Sequence, residues 1–267
     1  MEYVEGERID RWCAAHDLPL EARLRLFLKV CSAVEYAHRH LVIHRDLKPA
    51  NILVDHAGEP KLLDFGIARL LDESGATPTE TAHRALTLSY ASPEQIRNEP
   101  LSTASDIWQL GVVLYELVSG QRPFPSSGSP LALTHAILAS EPPPPSRIAS
   151  VRVRGRQRPL PADIDAIVMK AMRASPGKRY GTAADLATDI RRYLDLRPVQ
   201  ARRGQWWYRA SRFLHRHRGA VAASVLIASL LAAFAVEREA QLRFAQPERD
   251  EAQALADFMR GLFEDAD

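Results

Sequence analysis

Cysteine is nearly absent. Cys13 and Cys31 are the whole complement, and no ligand-type spacing connects them. That argues against a disulfide framework and a cysteine-built zinc site, so both read as reduced residues of a cytoplasmic part of the chain. An excess of either charge is missing too: 35 Lys and Arg face 33 Asp and Glu, a net of +2. The global field therefore predicts neither nucleic-acid binding nor an acidic partner. The segment Met1 to Gly6 is acidic and short of apolar residues, and does not read as a signal peptide. No repeat at periods of about 20–50 residues is visible, although an array could begin beyond Asp267. What remains is an ordinary globular composition, 46% hydrophobic and 25% charged, in 267 residues. That is enough chain for one large domain or two small ones.

Long apolar runs are scarce, with one exception. Gly219 to Val236 is 18 residues without a charge, about 27 Å as a helix, close to the roughly 30 Å of a hydrocarbon core. A run so rich in Ala and Ser could instead be a buried helix. Its flanks favour a membrane span. Arg202, Arg203, Arg209, Arg212, Arg216 and Arg218 precede it, with Trp206, Trp207 and Tyr208 among them, and acidic residues follow. Basic residues stay on the cytoplasmic side and aromatic rings prefer the interface. The expectation is a single pass through an inner membrane, with the N-terminal part in the cytoplasm.

Periodicity predicts helices over Glu21 to His40, Ser105 to Ser119, Leu131 to Ser140, Ala162 to Arg173 and Thr182 to Leu196. Leu41-Val42-Ile43, Ile52-Leu53-Val54 and Lys61-Leu62-Leu63 read as short strands, with a turn at Asp55-His56-Ala57-Gly58 between the last two. Leu71 to Ser89 reads as a long polar loop, and Pro- and Arg-rich Glu141 to Pro161 as an exposed connection.

The chemistry concentrates in His44-Arg45-Asp46-Leu47-Lys48-Pro49-Ala50-Asn51, followed by Asp64-Phe65-Gly66. An isolated Asp would be a surface carboxylate; H-R-D-x-x-x-x-N with D-F-G downstream is a specific pattern. In these residues the chain resembles the protein kinases, from Met1 to about Leu196. Phosphoryl transfer demands alignment of a hydroxyl and neutralisation of a crowded anion more than covalent chemistry. Asp46 matches the carboxylate that orients the hydroxyl, and Lys48 the cation beside the transferring phosphate. Asn51 and Asp64 are oxygen donors suited to Mg2+. The resemblance implies ATP and Mg2+ as cofactors. It also implies adenine held by backbone groups near Glu2 and Val4 over a floor at Leu53. Thr87 aligns with the threonine that contacts the catalytic Asp and Lys. With the lysine of H-R-D-L-K, it implies Ser/Thr acceptors on a protein substrate.

The resemblance continues downstream. Ser92-Pro93-Glu94 stands where the family has A-P-E, Arg179 matches its ion-pair partner, and Asp106 the brace of the catalytic-loop backbone. Arg45 before Asp46 is the pattern of kinases whose activation loop is ordered by phosphate, with Thr77, Thr79 and Thr81 as candidate sites. The basic stretch before the apolar run resembles bacterial membrane-anchored Ser/Thr kinases, in which self-association could support phosphorylation in trans.

The expected fold is α+β and predominantly α: a kinase large lobe with short β-hairpins, then one transmembrane helix. The expected segments are 1–196 for the hinge and large lobe, 197–218 for a basic juxtamembrane stretch, 219–236 for the span, and 237–267 for a helical tail leading to a sensor or repeat region. Absent from the sequence are G-x-G-x-x-G, a V-A-I-K lysine and its helix Glu partner. The expectation is a fragment of low activity that begins after the small lobe. The alternative is a non-catalytic, membrane-tethered interaction module; a kinase of small molecules is a weaker third reading.

Overall fold

Leu24, Phe27, Val30, Cys31 and Val34 lie on one face of a long helix and are all buried, which is why this segment docks rather than frays. The computed structural model describes residues 5–64, 88–124, 129–153, 156–202, 227–236 and 238. Among these, β1 (Glu7–Arg8) runs into α1 (Ile9–Ala15) and α2 (Leu20–Arg39), followed by β2 (Ile52–Val54) and β3 (Pro60–Leu62). Then come α3 (Pro93–Ile96), α4 (Thr103–Ser119), α5 (Pro130–Ala139), β4 (Ser150–Val153), β5 (Arg156–Pro159), α6 (Ala162–Ala171) and α7 (Ala183–Leu194).

The first three strands form an antiparallel sheet in the order β1-β2-β3, with Arg8 opposite Leu53 and Ile52 opposite Leu62. The β2–β3 turn is set by Asp55, whose Oδ1 accepts from Ala57 N and Glu59 N, both at 2.9 Å.

Helix α4 is the axis of the lobe. Ser105 through Tyr115 are buried without interruption, so no face of that stretch meets water. A helix apolar on all sides belongs in a core, and α4 packs against α2 and α6 while α7 packs on α2 and α6. Its closeness to α6 depends on Gly111, where an added Cβ would lie 2.7 Å from Met172 Cγ and 2.9 Å from Ala171 Cβ. Gly120 ends the helix at φ +72°, a left-handed cap that glycine adopts without a steric cost.

Two expectations need correction. Leu41-Val42-Ile43 is not a strand. Leu41 sits at φ +60° and Val42 N donates to Ala37 O at 3.0 Å, so the segment is the unwinding end of α2. The stretch Glu141 to Pro161 is more than an exposed connection: Pro142 and Pro145 are buried, Tyr115 Oη donates to Pro143 O at 2.9 Å, and β4–β5 form a hairpin.

Packing continues past Leu196. Val199 is buried, and Asp189 on α7 accepts from Gln200 N at 2.6 Å and Ala201 N at 2.8 Å. Arg202 pairs with Asp163 on α6 at 3.0 Å. The chain divides into one unit to Arg209 and a second from Ala210. In the second, 227–236 is helical, with Ile227, Leu230, Leu231, Phe234 and Val236 exposed. Among the described residues no helix is long and apolar enough to cross a membrane; residues 219–226 of the apolar run lie outside them.

Candidate active site

The loop between α2 and β2 is held from α4 and from β3, and its brace on α4 is held in turn from α2. From α4, the buried carboxylate of Asp106 accepts from His44 N and Arg45 N, both at 2.8 Å, one on each oxygen. From α2, His38 Nε2 lies 2.7 Å from Asp106 Oδ2. From the end of β3, Leu63 O meets His44 Nε2 at 3.0 Å. Burial holds the His44 imidazole below its ordinary pKa, against the opposing pull of Asp106. A neutral ring with one nitrogen donating to Leu63 O fits that position.

Within this frame Asp46, Lys48 and Asn51 converge. Lys48 Nζ lies 2.7 Å from Asp46 Oδ2. Asn51 Nδ2 donates to Asp46 O at 2.8 Å and Oδ2 at 3.1 Å. Its amide nitrogen is thereby committed to Asp46, which fixes its oxygen as the acceptor available to a cation. Pro49–Asn51 is a single 3-10 turn, and Asn51 O then accepts from Leu63 N at 2.9 Å. That bond closes the β2–β3 hairpin and puts Asp64, next after Leu63, at the Asn51 end of it. Asp64 is exposed and stands at φ +46°, a left-handed backbone that non-glycine residues reach only where surroundings hold it.

An amide oxygen and a carboxylate suit Mg2+, which takes one or two protein ligands and completes its shell with phosphate oxygens and water. Among the described residues no cluster of three or more His, Cys, Asp or Glu could hold a metal by itself. A two-ligand site of this kind is compatible with that.

Leu53 lies half-buried on β2 between Arg8 and Lys61. Glu2, Val4 and Thr87 lie outside the described residues, as do Phe65, Gly66, Thr77, Thr79 and Thr81. Arg45 stands at φ +69°, and its buried Nε has no hydrogen-bond partner among the described residues.

Behind the loop, Glu94 and Arg179 form a bidentate pair at 2.7 and 2.8 Å, with side-chain exposures of 5% and 0%. Burial alone would raise the Glu94 pKa. Bonds from Arg179 and Ser105 outweigh it and hold the carboxyl below its ordinary value. The two thiols are inert by the same physics, Cys13 being pushed up by burial to about 11 and Cys31 higher still.

Sequence reasoning missed three residues at this site. His38, Gln95 and Gln109 all bond to the loop or to its brace. The signal for Gln109 was its position three residues after Asp106 in an apolar helix, which places both on one face. A buried polar residue there needs a partner.

Asp46, Lys48 and Asn51 are thus brought together on one braced loop. The family described as Protein kinase domain matches residues 1–189, and the chain belongs to that family, whose members use ATP and Mg2+. It is 39% identical over 192 residues to serine/threonine-protein kinase PknB of Mycolicibacterium smegmatis, covering 71% of this chain and 29% of that protein. It is 36% identical over 203 residues to PknB of Mycobacterium tuberculosis, covering 75% and 31%. A probable serine/threonine-protein kinase of Corynebacterium efficiens is 43% identical over 166 residues, covering 62% and 24%. The matched part thus spans about three-tenths or less of each relative.

Proposed function

We propose that this chain supplies the catalytic loop of a serine/threonine protein kinase, which transfers the γ-phosphoryl group of ATP to a hydroxyl on a protein. The observation that carries the reading is Asp46 held beside Lys48 and Asn51, with the loop backbone pinned to Asp106. The acceptor oxygen forms a bond to phosphorus while the bond from phosphorus to the ADP oxygen breaks, and the hydroxyl proton passes to the Asp46 carboxylate. Lys48 offsets the charge on the transferring group. Asn51 and Asp64 would hold Mg2+, which supplies charge neutralisation on the phosphates when bound. Glu2 and Val4 would meet adenine through the backbone, Leu53 would floor its pocket, and Thr87 would contact Asp46 and Lys48.

The test is Asp46→Asn in the full-length gene product. Loss of a positioned general base should slow transfer by about 10²–10⁴-fold; undiminished transfer would overturn the assignment. Phosphoamino-acid analysis should give phosphoserine or phosphothreonine, and phosphotyrosine alone would refute the acceptor class. Residues 1–202 contain neither G-x-G-x-x-G nor a V-A-I-K lysine. If the missing lysine is worth ~4 kcal/mol, those residues alone should turn over about a thousandfold slower than a complete site.

The reading includes a single inner-membrane anchor at 219–236, with the kinase part in the cytoplasm and self-association bringing two copies together. Its support is the arginine cluster before the run and the exposed apolar side chains of helical residues 227–236. Release of the full chain from membranes by alkaline carbonate would refute the anchor.

A further inference from the structure

Asp106 pins the peptides before the catalytic aspartate, but both backbone groups that flank Asp46 are held by a different side chain. Gln109 Oε1 accepts from Leu47 N at 2.8 Å, and Gln109 Nε2 donates to Arg45 O at 2.9 Å. One buried amide, 1% exposed, therefore grips the carbonyl just before Asp46 and the N–H just after it. Its orientation is not interchangeable, because Leu47 N can only donate and Arg45 O can only accept.

A second amide completes the grip. Gln95 Nε2 donates to the same Arg45 O at 2.7 Å, and its Oε1 accepts from Gln109 Nε2 at 3.0 Å and from Ser92 N at 2.9 Å. Gln95 is in turn fixed by the capping box at the start of α3, where its own N–H donates to Ser92 Oγ at 3.3 Å. The Arg45 carbonyl thus receives two donors, from α4 and from α3. Arg45 is also the residue held at φ +69°, a left-handed conformation rarely adopted by side chains of its size. A buried glutamine needs partners for its polar atoms, and here the partners described are the Asp46 backbone neighbours and Gln95.

We propose that Gln109, backed by Gln95, is a positioning residue for the reaction: the amide pair fixes the left-handed peptide before Asp46 and so aims its carboxylate. Two consequences follow from the bonding. The direction of the Asp46 side chain depends on α4 through Gln109 as well as through Asp106. The Ser92–Gln95 segment is wired to Asp46 through the Arg45 carbonyl, so a shift of α3 is felt at the catalytic loop.

The inference rests on the kinase reading, and its test separates the two. In Gln109→Met, of nearly the same length but with no donor and only a weakly accepting thioether, the Leu47 amide loses its amide-oxygen acceptor. Its hydrogen exchange should accelerate about tenfold, while amides of α6 and α7 are unchanged. In the full-length gene product kcat should fall about 10–100-fold with KM for ATP within about twofold, since misplacement by an ångström costs the step rather than the binding. Unchanged exchange at Leu47, a uniform rise across the lobe, or an unchanged kcat where Asp46→Asn abolishes transfer would overturn the proposal. If Asp46→Asn leaves transfer intact, the kinase reading fails instead and the exchange at Leu47 decides the clamp. Should Gln109→Met not fold, Gln95→Met removes one donor to Arg45 O and one acceptor for Ser92 N. It should speed exchange through residues 44–48 about threefold with a similar fall in kcat, and no change in either would refute the pair.

Discussion

Removing Arg179 should be the most damaging single change in the lobe outside the core packing. Each of its five donors is used: Nε meets Arg173 O at 2.7 Å, Nη1 meets Glu94 and Ala104 O at 2.7 and 2.6 Å, and Nη2 meets Glu94 and Ala174 O at 2.8 and 3.0 Å. Arg179→Met keeps most of the volume over the Trp108 ring, from which the guanidinium carbon is 5.2 Å. It strands the Glu94 carboxylate in a site 5% exposed, with Ser105 Oγ at 2.8 Å as its one remaining side-chain donor among the described residues. Breaking one half of a buried pair costs about 3–5 kcal/mol, against a total stability on the order of 5–15 kcal/mol. At about 2–4 °C per kcal/mol for a domain of this size, the melting temperature should fall roughly 6–20 °C. Thermal unfolding of the full chain followed by circular dichroism reads the melting temperature, and urea unfolding reads the free-energy loss. The double variant Glu94→Leu with Arg179→Met removes the stranded charge and should recover much of the loss. A single-variant cost below about 1 kcal/mol, or a double variant as poor as the sum of both singles, would refute the view that the unpaired charge dominates.

Acid should act on the same pair. The Glu94 carboxyl is depressed in the folded state, so its contribution is complete above the unfolded value near 4.3 and is lost as pH falls towards the folded value. Glu94→Gln should flatten stability against pH below about 4.5, and an unaltered slope there would count against it. Gly111→Val should cost about 1–3 kcal/mol by overpacking α4 on Ala171 and Met172, read as a shifted urea midpoint. Asp189→Ala removes the acceptor for Gln200 N and Ala201 N, so limited proteolysis after Arg197 or Arg202 should quicken; an unchanged cleavage rate would mean that Val199 burial and the Arg202–Asp163 pair hold the segment without it.

The legible part of this molecule is the part whose physics is local. Helices α2, α4, α6 and α7 announce themselves because their apolar residues recur on one face or fill every face. The β2–β3 hairpin was readable because its turn chemistry sits in the sequence at Asp55 and Gly58. Leu41-Val42-Ile43 misled for the opposite reason. Three apolar residues satisfy a strand pattern, but nothing local says that Val42 N will reach back to Ala37 O. In the Glu141–Pro161 stretch, proline content argued for exposure, while tertiary packing buried Pro142 and Pro145 beneath the lobe. At the site, Asp46, Lys48, Asn51 and Asp64 were visible as a motif. Gln95, Gln109 and His38 were not, because each acts across a long loop closure and only the fold supplies the pairing.

That division has a physical consequence for how the site is built. Catalytic groups on a loop gain precision only from what holds the loop. Here the braces converge on two residues one helical turn apart on α4, Asp106 and Gln109. Helix α4 is buried on all sides over that turn and held at close range to α6 by the absence of a side chain at Gly111. A carboxylate fits where the loop offers two N–H groups, and an amide fits where it offers one N–H and one C=O. Swapping the two types would leave Asp106→Gln with a donor facing a donor and Gln109→Glu with an acceptor facing Arg45 O. The polarity of these two positions is therefore dictated by the path of the loop backbone. Neither Asp106 nor Gln109 meets the reacting atoms. The cost of changing either should appear first in the order of residues 44–48 and only through them in catalysis.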